Sequence, residues 1–249
     1  MPGVLEIRDL HKRFDSHHVI KGFSLDVVEQ TLSCLVGPNG AGKTTLIDLI
    51  SGRLKPSEGS VRFYDDELTG LSENEIAHRG IGRKFQIPAV FKNLSVRENL
   101  EVAYSHEVNP LRNMFKFGNA KMRARLDEVS TLVALQNRLQ VEAGLLSHGE
   151  TQWLEIGMLL MQEPRLLLLD EPIAGMTEVE IEKTARLLKE IKRSATLIVV
   201  EHDMGFVREI ADVVTVMHMG TLLAQGRIDE IEANPRVREV YLGTEEEAA

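Results

Sequence analysis

The run Gly37-Pro38-Asn39-Gly40-Ala41-Gly42-Lys43-Thr44-Thr45 constrains this chain more than any other stretch, because it joins an apolar strand-like segment, residues 32–36, to a helical segment that begins near Thr44. It fits the pattern G-x-x-x-x-G-K-[S/T] in the strand-to-helix context that gives the pattern its meaning. Glycines at 37, 40 and 42 let the backbone turn its N–H groups toward one point, and the helix N-terminus adds partial positive charge there. Pro38, Asn39, Ala41 and Thr45 complete the expected cradle. Lys43 is placed to reach the β and γ phosphates of a nucleoside triphosphate, and the Thr44 hydroxyl to ligate Mg²⁺. The formal net charge of −9 argues against broad nucleic-acid binding, so an anionic ligand has to be held locally by this loop.

A second motif supplies chemistry. Leu166-Leu167-Leu168-Leu169-Asp170-Glu171 reads as a buried strand ending in two carboxylates, and ligands bind at the carboxyl edge of parallel sheets. Asp170 can hold Mg²⁺ through water. Glu171, pointing elsewhere, can orient or deprotonate a water in line with the γ phosphate.

Around these motifs the pattern is mixed α/β. Val4-Leu5-Glu6-Ile7, residues 23–27 and Ser60-Val61-Arg62-Phe63-Tyr64 alternate with period two, as in an antiparallel sheet. From Ser95 to Leu160 the spacing turns helical: Ser95 and Glu98 form a capping box, Leu126, Val129, Leu132 and Val133 share one face, and residues 109–119 form a loop. Beyond Arg165, apolar runs at 166–169, 196–200 and 213–217 alternate with helical segments such as 178–192, the pattern of parallel strands with crossover helices. Residues 221–226 read as an edge strand, 230–242 as one closing helix, and 245–247 as part of a solvated acidic tail. The single cysteine, Cys34, reads as a core residue. With neither a secretory pattern at the first residues nor a run near the roughly 20 apolar residues a membrane span needs, a cytoplasmic protein is expected.

About twenty residues before the acid pair stands Leu146-Ser147-His148-Gly149-Glu150. This resembles the signature motif of the ABC ATPases, and the resemblance covers nearly the whole chain. It implies a P-loop NTPase core with an N-terminal antiparallel β-subdomain and an inserted helical lobe. One domain over 1–249 is then expected, with the core at 1–86 and 162–243, the lobe at 87–161 and an acidic tail at 244–249. The resemblance further implies that Phe14 stacks on adenine, that Gln86 is the Gln-loop residue and a metal ligand, and that His202 contacts the γ phosphate. Ser147 and Gly149 would face ATP held on a second ATPase subunit, identical or paralogous. Ser147 and Glu150 also read as a plain helix-capping box.

The pattern departs from the family at His148 and Glu150, usually glycine and glutamine, and at residues 172–177, where Thr177 replaces a common aspartate. Arg83-Lys84-Phe85-Gln86-Ile87-Pro88, the insertion over 104–125, Ala174-Gly175-Met176-Thr177 and Val240-Tyr241-Leu242-Gly243 resemble the ATPase subunits of branched-chain amino acid and urea importers. Leu146 to Gly149 followed by Trp153-Leu154-Glu155-Ile156-Gly157-Met158 looks closest to the urea type. Implied partners are transmembrane permease subunits and, indirectly, a periplasmic or extracellular solute-binding protein, with the chain peripheral on the inner face of the membrane. Two alternatives are a lipopolysaccharide-type export ATPase and a soluble remodelling ATPase; the latter implies tandem cassettes or a long coiled-coil insertion, which this sequence lacks.

Overall fold

The computed structural model describes residues 3–84, 90–104 and 120–246, with the side chains of 241–246 left aside. β1 (Gly3–Phe14) and β2 (His17–Val28) form a long antiparallel hairpin. β4 (Glu58–Phe63) and β5 (Asp66–Glu67) extend it into a four-stranded sheet of order β2-β1-β4-β5. Both hairpin strands run well past the expected segments, because the backbone ladder continues through polar residues to the Phe14–His17 pairing. Alternation still sets the faces: Leu5, Ile7, Phe23, Leu25 and Val27 are buried while Arg8 and Asp26 pair on the outside at 2.7 Å.

The second sheet has the order β10-β9-β3-β8-β7-β6. β3 (Leu32–Val36), β6 (Ile81–Lys84), β7 (Leu166–Asp170), β8 (Thr196–Val200) and β9 (Val213–His218) are parallel, and β10 (Thr221–Gly226) closes one edge antiparallel to β9. Every residue of β3, β7 and β8 is buried, as mostly apolar strands covered on both faces are. Their side chains divide with period two. Cys34, Leu167, Leu169, Leu197 and Val199 join one core with α3 (Val96–Ala103), α4 (Ala120–Leu132), α5 (His148–Leu160), α6 (Glu178–Ile191) and α7 (Met204–Ile210). Leu35, Leu166, Leu168, Ile198 and Val200 face α1 (Lys43–Ile50), α2 (Glu73–His78) and the antiparallel sheet. Burial pushes the Cys34 thiol far up, so it stays protonated as a core residue.

Ser95 and Glu98 cap α3 as expected, and Leu126, Val129 and Val133 are buried, with Leu132 half-buried at the edge of that face. The 109–119 loop reading falls outside the described residues. The single closing helix is corrected to two, α8 (Ile228–Ala233) and α9 (Pro235–Glu246). Pro235 has no N–H to continue α8 and keeps Asn234 extended, at φ −71° and ψ 118°, while suiting the first position of a new helix. α9 continues to Glu246, so residues 244–246 of the expected tail are helical.

Candidate functional site

The phosphate loop joins β3 to α1. A Cβ on Gly37 would lie 2.1 Å from the Met217 carbonyl oxygen of β9, so only glycine lets the loop leave the sheet there. Gly42 is left-handed, at φ 103°, and caps α1 with no side-chain hydrogen bond, which leaves the first-turn N–H groups for an outside anion. Ala41 is buried and its N–H closes the turn on the Pro38 carbonyl at 3.2 Å, while Asn39, Gly40 and Thr44 are exposed at the mouth and Thr45 is half-buried. Lys43 Nζ lies across the loop, donating to the carbonyls of Gly37 at 2.7 Å and Pro38 at 3.1 Å. Burial lowers its pKa, and the nearby charges of Glu171 and Asp170 oppose that shift.

Because β3, β8 and β7 are adjacent and parallel, their carboxyl ends bring the loop, His202 and the acid pair to one edge. Asp170 is 2% exposed, and among the described residues neither of its oxygens accepts a hydrogen bond, although the Thr44 hydroxyl is near enough to favour its ionised form. Burial, then the charge of Glu171, push its pKa up; the Arg83 guanidinium pulls it back. A buried carboxylate with unmet acceptors beside a hydroxyl fits a hard divalent cation. Gln86 lies outside the described residues.

Glu171 has the left-handed backbone φ of 47°, a conformation that costs a non-glycine residue roughly 1 kcal/mol. Its N–H donates to Val200 O at 3.0 Å and its carbonyl accepts from Ala174 N–H at 3.2 Å, which hold the turn. His202 Nδ1 is 3.6 Å from Glu171 Oε1, and the two side chains are 68% and 40% exposed, open to a ligand. Phe14 ends β1 with its ring 40% exposed and Lys12 Nζ 4.9 Å from the ring centre.

The departures at 148, 150 and 177 acquire local roles. Ser147 caps α5, and Glu150 answers with a bond to Ser147 N–H at 3.0 Å. The other Glu150 oxygen is 3.0 Å from Arg138 Nε, so the added carboxylate is paired. His148 Nε2 is 2.9 Å from the Ala174 carbonyl, tying the start of α5 to the turn after Glu171. Thr177 caps α6 with Glu180, whose other oxygen accepts from Ser147 Oγ at 3.3 Å. Thr177→Ala should therefore lower stability by about 1 kcal/mol, seen as an earlier urea midpoint at unchanged slope. No described hydrogen bond joins Ser147 or Gly149 to the phosphate loop of the same chain.

Sequence reasoning missed the supports beneath the acids. Arg83 Nη1 is 2.5 Å from Asp48 and donates to Ser51 Oγ at 2.7 Å, a buried cation under Asp170. Glu201, 1% exposed, follows the apolar run 197–200 of β8; a charge closing such a strand was the available signal.

The chain resembles known proteins along most of its length. The family described as ABC transporter matches residues 20–174, and that described as branched-chain amino acid ATP-binding cassette transporter matches 221–247. The chain is 35% identical to the high-affinity branched-chain amino acid transport ATP-binding protein BraF of Pseudomonas aeruginosa, over 96% of this chain and 98% of the relative. It is 33% identical to LivG of Escherichia coli K12, a protein described in the same words, with the same coverage. Among solved structures, it resembles a crystallised ATP-binding cassette of an ABC transporter in its ADP conformation, with a TM-score of 0.86 and 31% identity over 98% of this chain and all of the other. A nucleotide-free cassette gives 0.85 and 30%, over 96% and 99%. Matched along its length in sequence and fold, the chain belongs to the ABC transporter family, as one of its ATP-binding and ATP-hydrolysing subunits.

Proposed function

We propose that the chain powers a membrane importer of small polar solutes by binding ATP on residues 37–45 and hydrolysing it at the carboxyl edge of the six-stranded sheet. One observation carries the reading: Lys43 lies within the electrostatic reach of both Asp170 and Glu171, and His202 Nδ1 is 3.6 Å from Glu171 Oε1. Phosphate anchor, acid pair and imidazole thus share one edge.

The loop N–H groups and Lys43 hold the β and γ phosphates, and Phe14 offers its ring to the adenine. Glu171 Oε1 takes the proton of the attacking water, and His202 contacts the γ phosphate. Asp170 and Thr44, with Gln86 by family analogy, would hold Mg²⁺, which when bound neutralises charge building on the phosphates. Ser147, exposed at the capped start of α5, and Gly149, buried beside Glu180, serve ATP bound to a second ATPase subunit, identical or paralogous. The lobe that carries them moves on closure and drives permease subunits, the partners that the ATP-binding subunit of a transporter implies. None of the helices among the described residues is long and apolar enough to cross a membrane. Attachment to the inner face of the membrane then comes through the permease, with a solute-binding protein on the far side.

The relatives' names favour branched-chain amino acids as cargo. Urea or a short amide is the second reading, favoured by His148 and the residues from Trp153 to Met158. Uptake of labelled leucine and of urea into vesicles carrying the assembled transporter separates the two, with Glu171→Gln as the inactive control. ATP-driven accumulation of either supports import; outward movement supports the exporter reading, and activity without any permease the soluble one.

A further inference from the structure

We infer that Glu201 is a positioning residue of the hydrolytic site, its buried carboxylate fastening the turn that carries Glu171 to the strand end that carries His202. The inference rests on the proposed roles of those two residues. Glu201 Oε1 accepts from the backbone N–H of Ile173 at 3.4 Å, two residues past Glu171. Its other oxygen accepts from the His202 N–H at 3.2 Å and lies 3.9 Å from His202 Nδ1. Its own N–H donates to Leu35 O at 3.3 Å, on the strand that leads into the phosphate loop. One residue thus touches all three strand ends from which the site is built.

The chemistry of the position argues against a neutral spacer. A carboxylate 1% exposed at the end of an apolar strand is an expensive choice, and burial, together with the charge of Glu171, pushes its pKa up. The two backbone N–H bonds favour the ionised form and offset part of that cost. What they hold is the 171–173 turn, which enters through the left-handed φ of Glu171 and would relax if released. The glutamate that orients water and the imidazole beside it then keep their mutual distance through a third, buried acid. Each oxygen serves a separate turn, so an amide at this position can serve only one of the two N–H donors.

The test is steady-state ATP hydrolysis by the full chain assembled with its permease, comparing Glu201→Gln, Glu201→Ala, Glu171→Gln and the double variant Glu171→Gln/Glu201→Gln. Loss of geometry without loss of binding predicts that kcat falls about 10-fold for the amide and about 100-fold for alanine, with KM for ATP within about threefold of the parent. Because Glu201 acts in large part through Glu171, the losses in the double variant should fall clearly short of additive. Where alanine leaves too little folded protein, the amide, equal in size, decides. Unchanged kcat in Glu201→Gln, a KM rise that matches the kcat loss, or additive losses in the double variant would overturn the inference. Normal turnover in Glu171→Gln would instead remove the reading on which it stands.

Discussion

Glu171→Gln should bind ATP with close to parental affinity while kcat falls by about 1,000-fold, the middle of the range for losing a positioned general base. The amide has the size of the acid and the same backbone, so the bonds that hold the turn, from Glu171 N–H to Val200 and from Ala174 N–H to the Glu171 carbonyl, are untouched. Only the basic oxygen near His202 is lost, and with it a negative charge close to the phosphates. Removing that charge lowers repulsion and favours the ATP-bound state. Light scattering with and without MgATP reads the consequence: a doubled mass only with nucleotide supports the two-subunit sandwich. ATP binding at constant mass points to an obligatory different subunit, and turnover at the parental rate sinks the assignment of Glu171.

Lys43→Ala is expected to weaken ATP binding by roughly 100-fold, which corresponds to about 3 kcal/mol, the upper range for hydrogen bonds to a charged group. The Nζ atom meets two loop carbonyls of its own chain and lies near Asp170 and Glu171, so its loss removes the one mobile cation of the phosphate loop. The fold should survive, since the described hydrogen bonds of the side chain stay within the phosphate loop. Titration calorimetry with ATP, run beside a thermal melt, separates the two effects. Affinity within about threefold of the parent would show that the loop N–H groups alone hold the phosphates.

Much of the molecule was legible because its information is local. The glycines of residues 37–42, the apolar runs of β3, β7 and β8 and the capping boxes at Ser95 and Ser147 act over a few residues, through backbone conformation, period and short-range hydrogen bonds. The resemblance then placed Phe14, Ser147, Gly149 and His202 in one family pattern. A local rule also explains where the reading failed: the 230–242 segment was read as one helix, and its division turns on the pair Asn234-Pro235 within it.

The sequence by itself determined the phosphate loop, the acid pair and the α/β character, since each depends on neighbours within one turn or strand. Only the tertiary structure decided which distant groups meet. The sheet order places β3 between β9 and β8, and β8 beside β7, so Lys43 meets Asp170, Glu171 and His202 although over a hundred residues of chain separate it from them. The same packing pairs Glu150 with Arg138, sets His148 on the Ala174 carbonyl, buries Arg83 beneath Asp170 and brings Glu201 to the Ile173 turn. The last two contacts are long-range because a buried charge has to find its partner wherever the fold brings one, and no periodicity in the chain encodes that meeting.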